Sequence, residues 1–186
     1  MNINKKLMIK RITRHVKFSN GHSRLSLFWL VAIIGLIAPW AIQLYQSEIT
    51  TTRECIVSST YDGDTMRVQC GGEQMKVRLH CIDAPEMGQK PWGRESRDYL
   101  RELVPRGSSV QVRGKEKDKY GRLIAEVYLD GKNLNLAMVR AGQAAVYRQY
   151  CEVSEYYTTE KEAKKSAAGI WSKPGEHQRP WRWRHH

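Results

Sequence analysis

From residue 54 onward, apolar and polar positions alternate in short runs separated by turn residues, the pattern of strands that bury one face. ECIVSSTY leads into Asp62-Gly63, TMRVQC follows, Gly71-Gly72 makes a second turn, and QMKVRLHCI continues the meander. The period then changes. In GRESRDYLRELV (residues 93–104), Tyr99, Leu100, Leu103 and Val104 fall on one helical face. SSVQVRG and LIAEVYL return to alternation on either side of a loop, KEKDKYGR. Asn133 is placed to cap a helix LNLAMVRA that Gly142 ends, and Ser154 to cap a longer Glu-, Lys- and Ala-rich helix that Gly169 ends. Three strands, a helix, two strands and two helices predict an α+β fold around a small barrel.

A different pattern precedes this. Residues 27–45 (LFWLVAIIGLIAPWAIQLY) carry no charge over 19 positions. As a helix rising ~1.5 Å per residue they reach roughly 28 Å, about the thickness of a hydrocarbon core. Trp29, Trp40 and Tyr45 stand towards the two ends, where aromatic rings prefer the interface. The segment is expected to be an uncleaved transmembrane anchor. A cleaved signal peptide is the rival reading, opposed by a long basic leader and by Pro39 directly after the best small residue, Ala38. A buried core helix is the third. The expected organisation is a basic cytoplasmic tail at 1–26, the anchor at 27–45, a linker at 46–53, the folded domain at 54–172 and a basic aromatic tail at 173–186.

Charge supports that orientation. The net charge is +12, but the first 26 residues hold seven Lys/Arg and no acid, leaving 24 bases against 19 acids in the remainder. An acid-free basic tail stays cytoplasmic, which sends the domain to the outer side of the cell (inner) membrane, or into the medium if the anchor is cleaved. The lipid bilayer is then a partner of residues 27–45. The remainder is only modestly basic, which permits a site that gathers carboxylates around a metal. The closing stretch SKPGEHQRPWRWRHH could stack on bases or pair with phosphates, or its tryptophans could pack back on the domain.

Cys55, Cys70, Cys81 and Cys151 all follow the apolar segment, and none forms a CxxC pair, which argues against a zinc knuckle. Four cysteines allow three connectivities. Cys55 and Cys70 are symmetric about Asp62-Gly63, which favours Cys55–Cys70 and leaves Cys81–Cys151; four buried free thiols are the alternative.

The candidate chemistry lies in Asp62-Gly63-Asp64-Thr65, Arg78, Ile82-Asp83-Ala84-Pro85-Glu86 and Asp118-Lys119-Tyr120-Gly121-Arg122. Singly, these motifs read as a hairpin turn, a strand exit and a loop. Together they hold the parts that phosphodiester hydrolysis requires. Asp64 and Asp83 offer two hard oxygen donors to a dication. Pro85 keeps Ala84 extended, so its carbonyl can turn to the same ion. Glu86 can hold or deprotonate a water. Arg78 and Arg122 can fork onto the oxygens of a transition state that gains negative charge. Lys119 and Tyr120 could bind a flanking phosphate.

The chain from about residue 55 to 171 resembles the staphylococcal nuclease family in order and spacing. The matching stretches are TYDGDTMRV, KVRLHCIDAPE, QKPWGRESRDYL, DKYGRLIAEVYLDGKNLNLAMVRAGQA and TEKEAKKSAAGIW. The resemblance implies an OB-type five-stranded β-barrel with three α-helices. It implies Ca2+ held by Asp64, Asp83 and the Ala84 carbonyl, Glu86 orienting the attacking water, Arg78 and Arg122 as the phosphate pair, and Tyr120 near the substrate. It further implies cleavage of DNA, RNA or both to 3′-phosphate and 5′-hydroxyl ends, by a monomer. Ala84 stands where the best-studied members carry Thr, which matters little if only the carbonyl is used. The match loosens after Gly142, so Tyr147 or Tyr150 is either a base-stacking ring or a packing residue. His80 is assigned no role.

A non-catalytic, membrane-tethered OB-fold module that binds nucleic acid is the alternative. Such a module gains nothing from acids beside a polyanion, since unneutralised carboxylates weaken phosphate binding. A tethered structural or protein-interaction domain has no use for the constellation either.

Overall fold

The computed structural model describes residues 29, 31–40, 43 and 51–184. The chain forms two compact units, residues 1–44 and 45–186. In the first, residues 31–40 are helical, and Val31, Ile33, Ile34, Leu36, Ile37 and Trp40 expose their apolar side chains. Among the described residues no helix is long and apolar enough to cross a membrane. The basic tail 1–26 and much of the 27–45 segment lie outside the described residues.

In the second unit five strands close a barrel. They are β1 (Thr52–Thr60), β2 (Thr65–Cys70), β3 (Glu73–Leu79), β5 (Ser109–Lys117) and β6 (Leu123–Leu129). The sheet runs β3-β2-β1-β5-β6 with antiparallel neighbours, and a parallel β3–β6 pairing, Val77 against Leu123, joins its ends. A two-residue strand, β7 (Lys132–Asn133), extends β6. Alternation decides which face turns inward. Val57, Met66, Val68, Val77, Leu79, Val110, Val112, Leu123, Ala125 and Val127 fill the barrel, while the residues between them face outward. β1 begins at Thr52, inside the segment expected to be a linker. β5 runs on to Lys117, so the loop expected over residues 115–122 shrinks to 118–122.

Two disulfides tie the unit. Cys55 and Cys70 are register partners in the β1–β2 ladder and are bonded, and Cys81 is bonded to Cys151.

Helix α1 (Trp92–Leu103) packs Leu100 and the following Val104 into the core. α2 (Leu134–Arg140) is capped by Asn133, whose side chain accepts from Leu136 N at 3.1 Å. Its buried Asn135 accepts from Val127 N at 3.1 Å and donates to the carbonyls of His80 and Ala125 at 3.0 Å, locking the helix to β6 and to the turn after β3. α3 (Ser154–Lys165) lacks the expected cap. Ser154 is its first helical residue, and extended Val153, with no side-chain oxygen, takes the cap position. Its end is also earlier than Gly169. Ala167 takes the left-handed exit at φ 50°, and Gly169 is reserved for close approach to the Gly142 carbonyl. A short α4 (Pro180–Trp183) follows in the tail, which packs back on the domain.

A second, two-stranded sheet pairs β4 (Ile82–Asp83) with β8 (Ala145–Val146). Glu160 of α3 holds β8 by accepting from Val146 N at 2.8 Å, and it pairs with Arg148 and Lys164. This small sheet and the Cys81–Cys151 bond fix the strand that carries Asp83.

Candidate active site

Asp62-Gly63 does not form a two-residue turn. Residues 61–64 make a longer loop closed by Tyr61 N donating to Thr65 O at 2.9 Å. A Cβ on Gly63 would overlap Ser96 of α1, so glycine lets the loop sit against the helix. Gly93 does the same for the next segment, since a Cβ there would overlap the Glu86 carbonyl. The Gln89 side chain accepts from Glu86 N at 2.8 Å, and Gln89 N donates to Glu86 O at 2.8 Å. Both acid-bearing loops are thus seated on the start of α1.

Thr65 and Arg78 are register partners in β2–β3, which puts Arg78 beside Asp64. Arg78 Nη2 donates to Asp83 Oδ1 at 2.7 Å. Arg78 Nη1 meets Asp64 Oδ2 at 2.6 Å but off the line of its N–H bonds, so this contact is ionic rather than a directed hydrogen bond. Asp64 also accepts from Thr65 Oγ1 at 3.0 Å and from Ala84 N at 2.7 Å. That last bond brings the Ala84 backbone to the carboxylate pair. Asp62 joins the group by accepting from Asp64 N at 3.0 Å.

A second guanidinium, from the C-terminal tail, reaches the acids. Arg184 Nη2 lies 3.0 Å from both Asp83 oxygens, and its Nη1 donates to Glu86 Oε1 at 2.6 Å. Asp64, Arg78, Asp83, Arg184 and Glu86 therefore form one continuous chain of alternating charge. Partial burial would lower the Arg184 pKa, but the Glu86 and Asp83 carboxylates outweigh it and hold the guanidinium well above its ordinary range.

Four carboxylates, Asp62, Asp64, Asp83 and Glu86, share two guanidiniums, Arg78 and Arg184. Burial and then the Asp64 charge push Asp83 up to about 6, with Arg78 and Arg184 pulling the other way. Burial and the same neighbour push Asp62 up to about 7. A buried set of hard oxygens with unmet negative charge fits a hard dication. Among the described residues no three His, Cys, Asp or Glu side chains converge to hold an ion unaided. Asp64 and Asp83 would offer such an ion two carboxylates, and water or substrate would have to complete its shell.

Arg122 stands at the entry to β6. Arg78 pairs with Ile124, two residues further along, so Arg78 and Arg122 share the outer face of the barrel. Asp118 orients Arg122, accepting from its Nε at 2.7 Å and from its backbone N at 2.9 Å. Burial would raise the Asp118 pKa, but these bonds, together with one from Tyr120 N, hold it below the ordinary carboxylate value. Tyr120 in the same loop is exposed, with Lys119 Nζ 5.1 Å and the Arg122 guanidinium carbon 5.6 Å from its ring centroid. Tyr147 stacks on Trp181 at 5.9 Å and 9° and meets the edge of Tyr150 at 4.8 Å.

Asp62 lies in the Asp-Gly-Asp motif that the sequence singles out, although only Asp64 is given a role there. Arg184 had no local signal. It lies 101 residues from Asp83.

Residues 76–173 match the family model described as "Staphylococcal nuclease homologue". The chain is 42% identical over 125 residues to an uncharacterized endonuclease of Escherichia coli, covering 67% of this chain and 80% of that protein. It is 40% identical over 134 residues to a micrococcal nuclease of Shigella flexneri, covering 66% and 75%. It is 35% identical over 126 residues to endonuclease YncB of Bacillus subtilis, covering 61% and 59%. With a closed five-stranded barrel and an Asp64–Arg78–Asp83 cluster beside it, the chain belongs to the staphylococcal nuclease family of hydrolytic nucleases.

Proposed function

We propose that this chain is a calcium-dependent nuclease that hydrolyses phosphodiester bonds of DNA, RNA or both as a monomer, leaving 3′-phosphate and 5′-hydroxyl ends. The observation that carries the reading is the Asp64–Arg78–Asp83 cluster with Glu86 at its edge. Asp64, Asp83 and the Ala84 carbonyl would hold the cation. When bound, a hard dication would offset the charge of the acids and polarise the scissile phosphate. Glu86, more than a third exposed at its side chain, is reachable by solvent and accepts the proton of the attacking water. As water oxygen bonds to phosphorus, the bond from phosphorus to the 5′-oxygen breaks, and that oxygen takes up a proton from solvent. Arg78 and Arg122 donate to the phosphate oxygens as their charge grows. Lys119 and Tyr120 bind a flanking phosphate, and Tyr147 offers a ring to a base.

Three features support a placement at the inner membrane with the nuclease unit outside the cytoplasm. They are the uncharged run at 27–45, the acid-free basic tail before it and two disulfides, which persist in oxidising compartments. Alkaline phosphatase fused after His186 is expected to be active; an inactive fusion would reverse the topology.

The mechanism is tested by titrating calcium into cleavage assays on DNA and RNA with wild type and Glu86→Gln. The variant is expected to fold and bind calcium as wild type does while turnover drops by roughly 10²–10⁴-fold. Equal rates would remove Glu86 from the reaction, and cleavage indifferent to EGTA would remove the cation.

A further inference from the structure

The segment after α3 turns back over the site and is anchored along its length. His177 is buried, its Nε2 lies 2.9 Å from Ile170 O and 3.0 Å from Lys173 O, and its ring stacks on Trp92 at 4.3 Å and 14°. Trp92 is the first residue of α1, the helix that seats both acid-bearing loops. Gln178 Nε2 donates to the same two carbonyls at 3.1 Å. Further on, Pro180 is buried, Trp181 stacks on Tyr147, and the Trp183 ring passes beside Gly88, two residues after Glu86. The run ends with Arg184 inserted between Asp83 and Glu86.

Two of these contacts, those of Arg184 and Trp181, cover groups that the proposed chemistry needs free. Arg184 sits on the carboxylate expected to hold a cation and ties up the carboxylate expected to take a proton. Trp181 covers the Tyr147 face that would otherwise receive a base. A guanidinium and a dication cannot both hold the Asp83 oxygens at full strength, since each is drawn by the same negative charge.

We propose that residues 172–184 form an autoinhibitory strap, with Arg184 competing against the divalent cation at Asp83 and Trp181 against substrate at Tyr147. This rests on the assignment of Asp83 and Glu86 given above. The enzyme is then held closed until cation and nucleic acid arrive together, because either one alone displaces only part of the strap.

The test compares the full chain with Arg184→Gln, Trp181→Ala and Asp83→Asn. Terbium luminescence reads cation binding without nucleic acid, and cleavage of a short oligonucleotide is followed at subsaturating and saturating calcium. Arg184→Gln is expected to bind terbium about three- to tenfold more tightly, the loss of one partly exposed ion-pair competitor. It should cleave several-fold faster at subsaturating calcium and match wild type at saturation. Trp181→Ala should lower the KM for the oligonucleotide and leave terbium affinity alone. Unchanged terbium affinity in Arg184→Gln, or slower cleavage at saturating calcium, overturns the strap; the second result would make Arg184 a phosphate ligand. If Asp83→Asn binds terbium as wild type does, the cation assignment itself fails, and the strap with it.

Discussion

Arg78 on β3 and Asp64 in the loop before β2 meet at 2.6 Å with both side chains less than a tenth exposed. Arg78 serves Asp83 as well, whose side chain is wholly buried. Its removal leaves two desolvated carboxylates short of a partner. Arg78→Ala is therefore expected to cost roughly 3–5 kcal/mol of folding stability. Added calcium should restore part of that, since a dication can take over the neutralising role. Urea denaturation with and without calcium checks both statements; a loss below about 1 kcal/mol would mean that the pair contributes no more than an exposed one.

Arg122 belongs to the phosphate pair only if Asp118 aims it. Arg122→Ala is expected to lower kcat/KM by roughly 10²–10³-fold, the scale of one lost transition-state donor. Asp118→Asn should produce a smaller loss in the same direction, because the amide oxygen still accepts from the Arg122 backbone N while the negative charge facing Nε is gone. Lysine at 122 should recover little, lacking the planar fork. Steady-state kinetics on one oligonucleotide decides this: full activity in Arg122→Ala would exclude the residue, and full activity in Asp118→Asn would exclude the aiming.

The barrel was readable because each of its strands buries one face, so Val57, Val68, Val77, Val112 and Val127 each sit in a run of alternating residues. α2 was readable at its start for a local reason, the Asn133 cap. What alternation could not convey is closure. The parallel β3–β6 pairing joins segments separated by β4, α1 and β5, and nothing local encodes that register. β4 and β8 are two residues each, too short to show a period, yet they position Asp83. Ser154 misled because serine is also tolerated as a first helical residue, and Ala167 misled because alanine rarely takes a positive φ. In the site, Asp64, Arg78, Asp83 and Glu86 were legible from motif spacing. Arg184 was not, because its partners are fixed only by how the tail folds back.

Cys81 directly precedes β4, and its carbonyl accepts from Tyr147 N at 2.9 Å, so the Cys81–Cys151 bond secures both the Asp83 strand and the Tyr147 segment. It spans 70 residues, against 15 for Cys55–Cys70. Loop-closure entropy then predicts a loss of about 4 kcal/mol for Cys81→Ala with Cys151→Ala, and about 3 kcal/mol for the other pair. Activity should separate them further. The first double variant is expected to lose calcium affinity as well as stability, and the second stability alone. Thermal denaturation and calcium titration of the two variants test the distinction, which fails if both keep wild-type affinity.

His80 sits on the turn between β3 and β4, with Nδ1 buried and no partner for it among the described residues. Burial lowers its pKa below 6.5; Glu126 and Glu116 oppose that shift and Lys115 adds to it. The imidazole is therefore neutral in the fold at a pH where the unfolded chain has begun to protonate it. Between the two pKa values the unfolded state binds more protons, so this residue's contribution rises with pH there. Stability from His80 is accordingly full above about pH 6.5 and is lost as pH falls below that value. The raised Asp62 and Asp83 act in the opposite sense, since the folded state binds more protons as pH drops through 7 towards 4. The total profile mixes these effects, and the difference between wild type and His80→Gln separates them. Glutamine does not titrate, so wild type should lose stability relative to the variant as pH falls below about 6.5. Urea denaturation of both proteins across that range reads the difference, and a difference that stays constant with pH would mean that His80 protonates as readily in the fold as outside it.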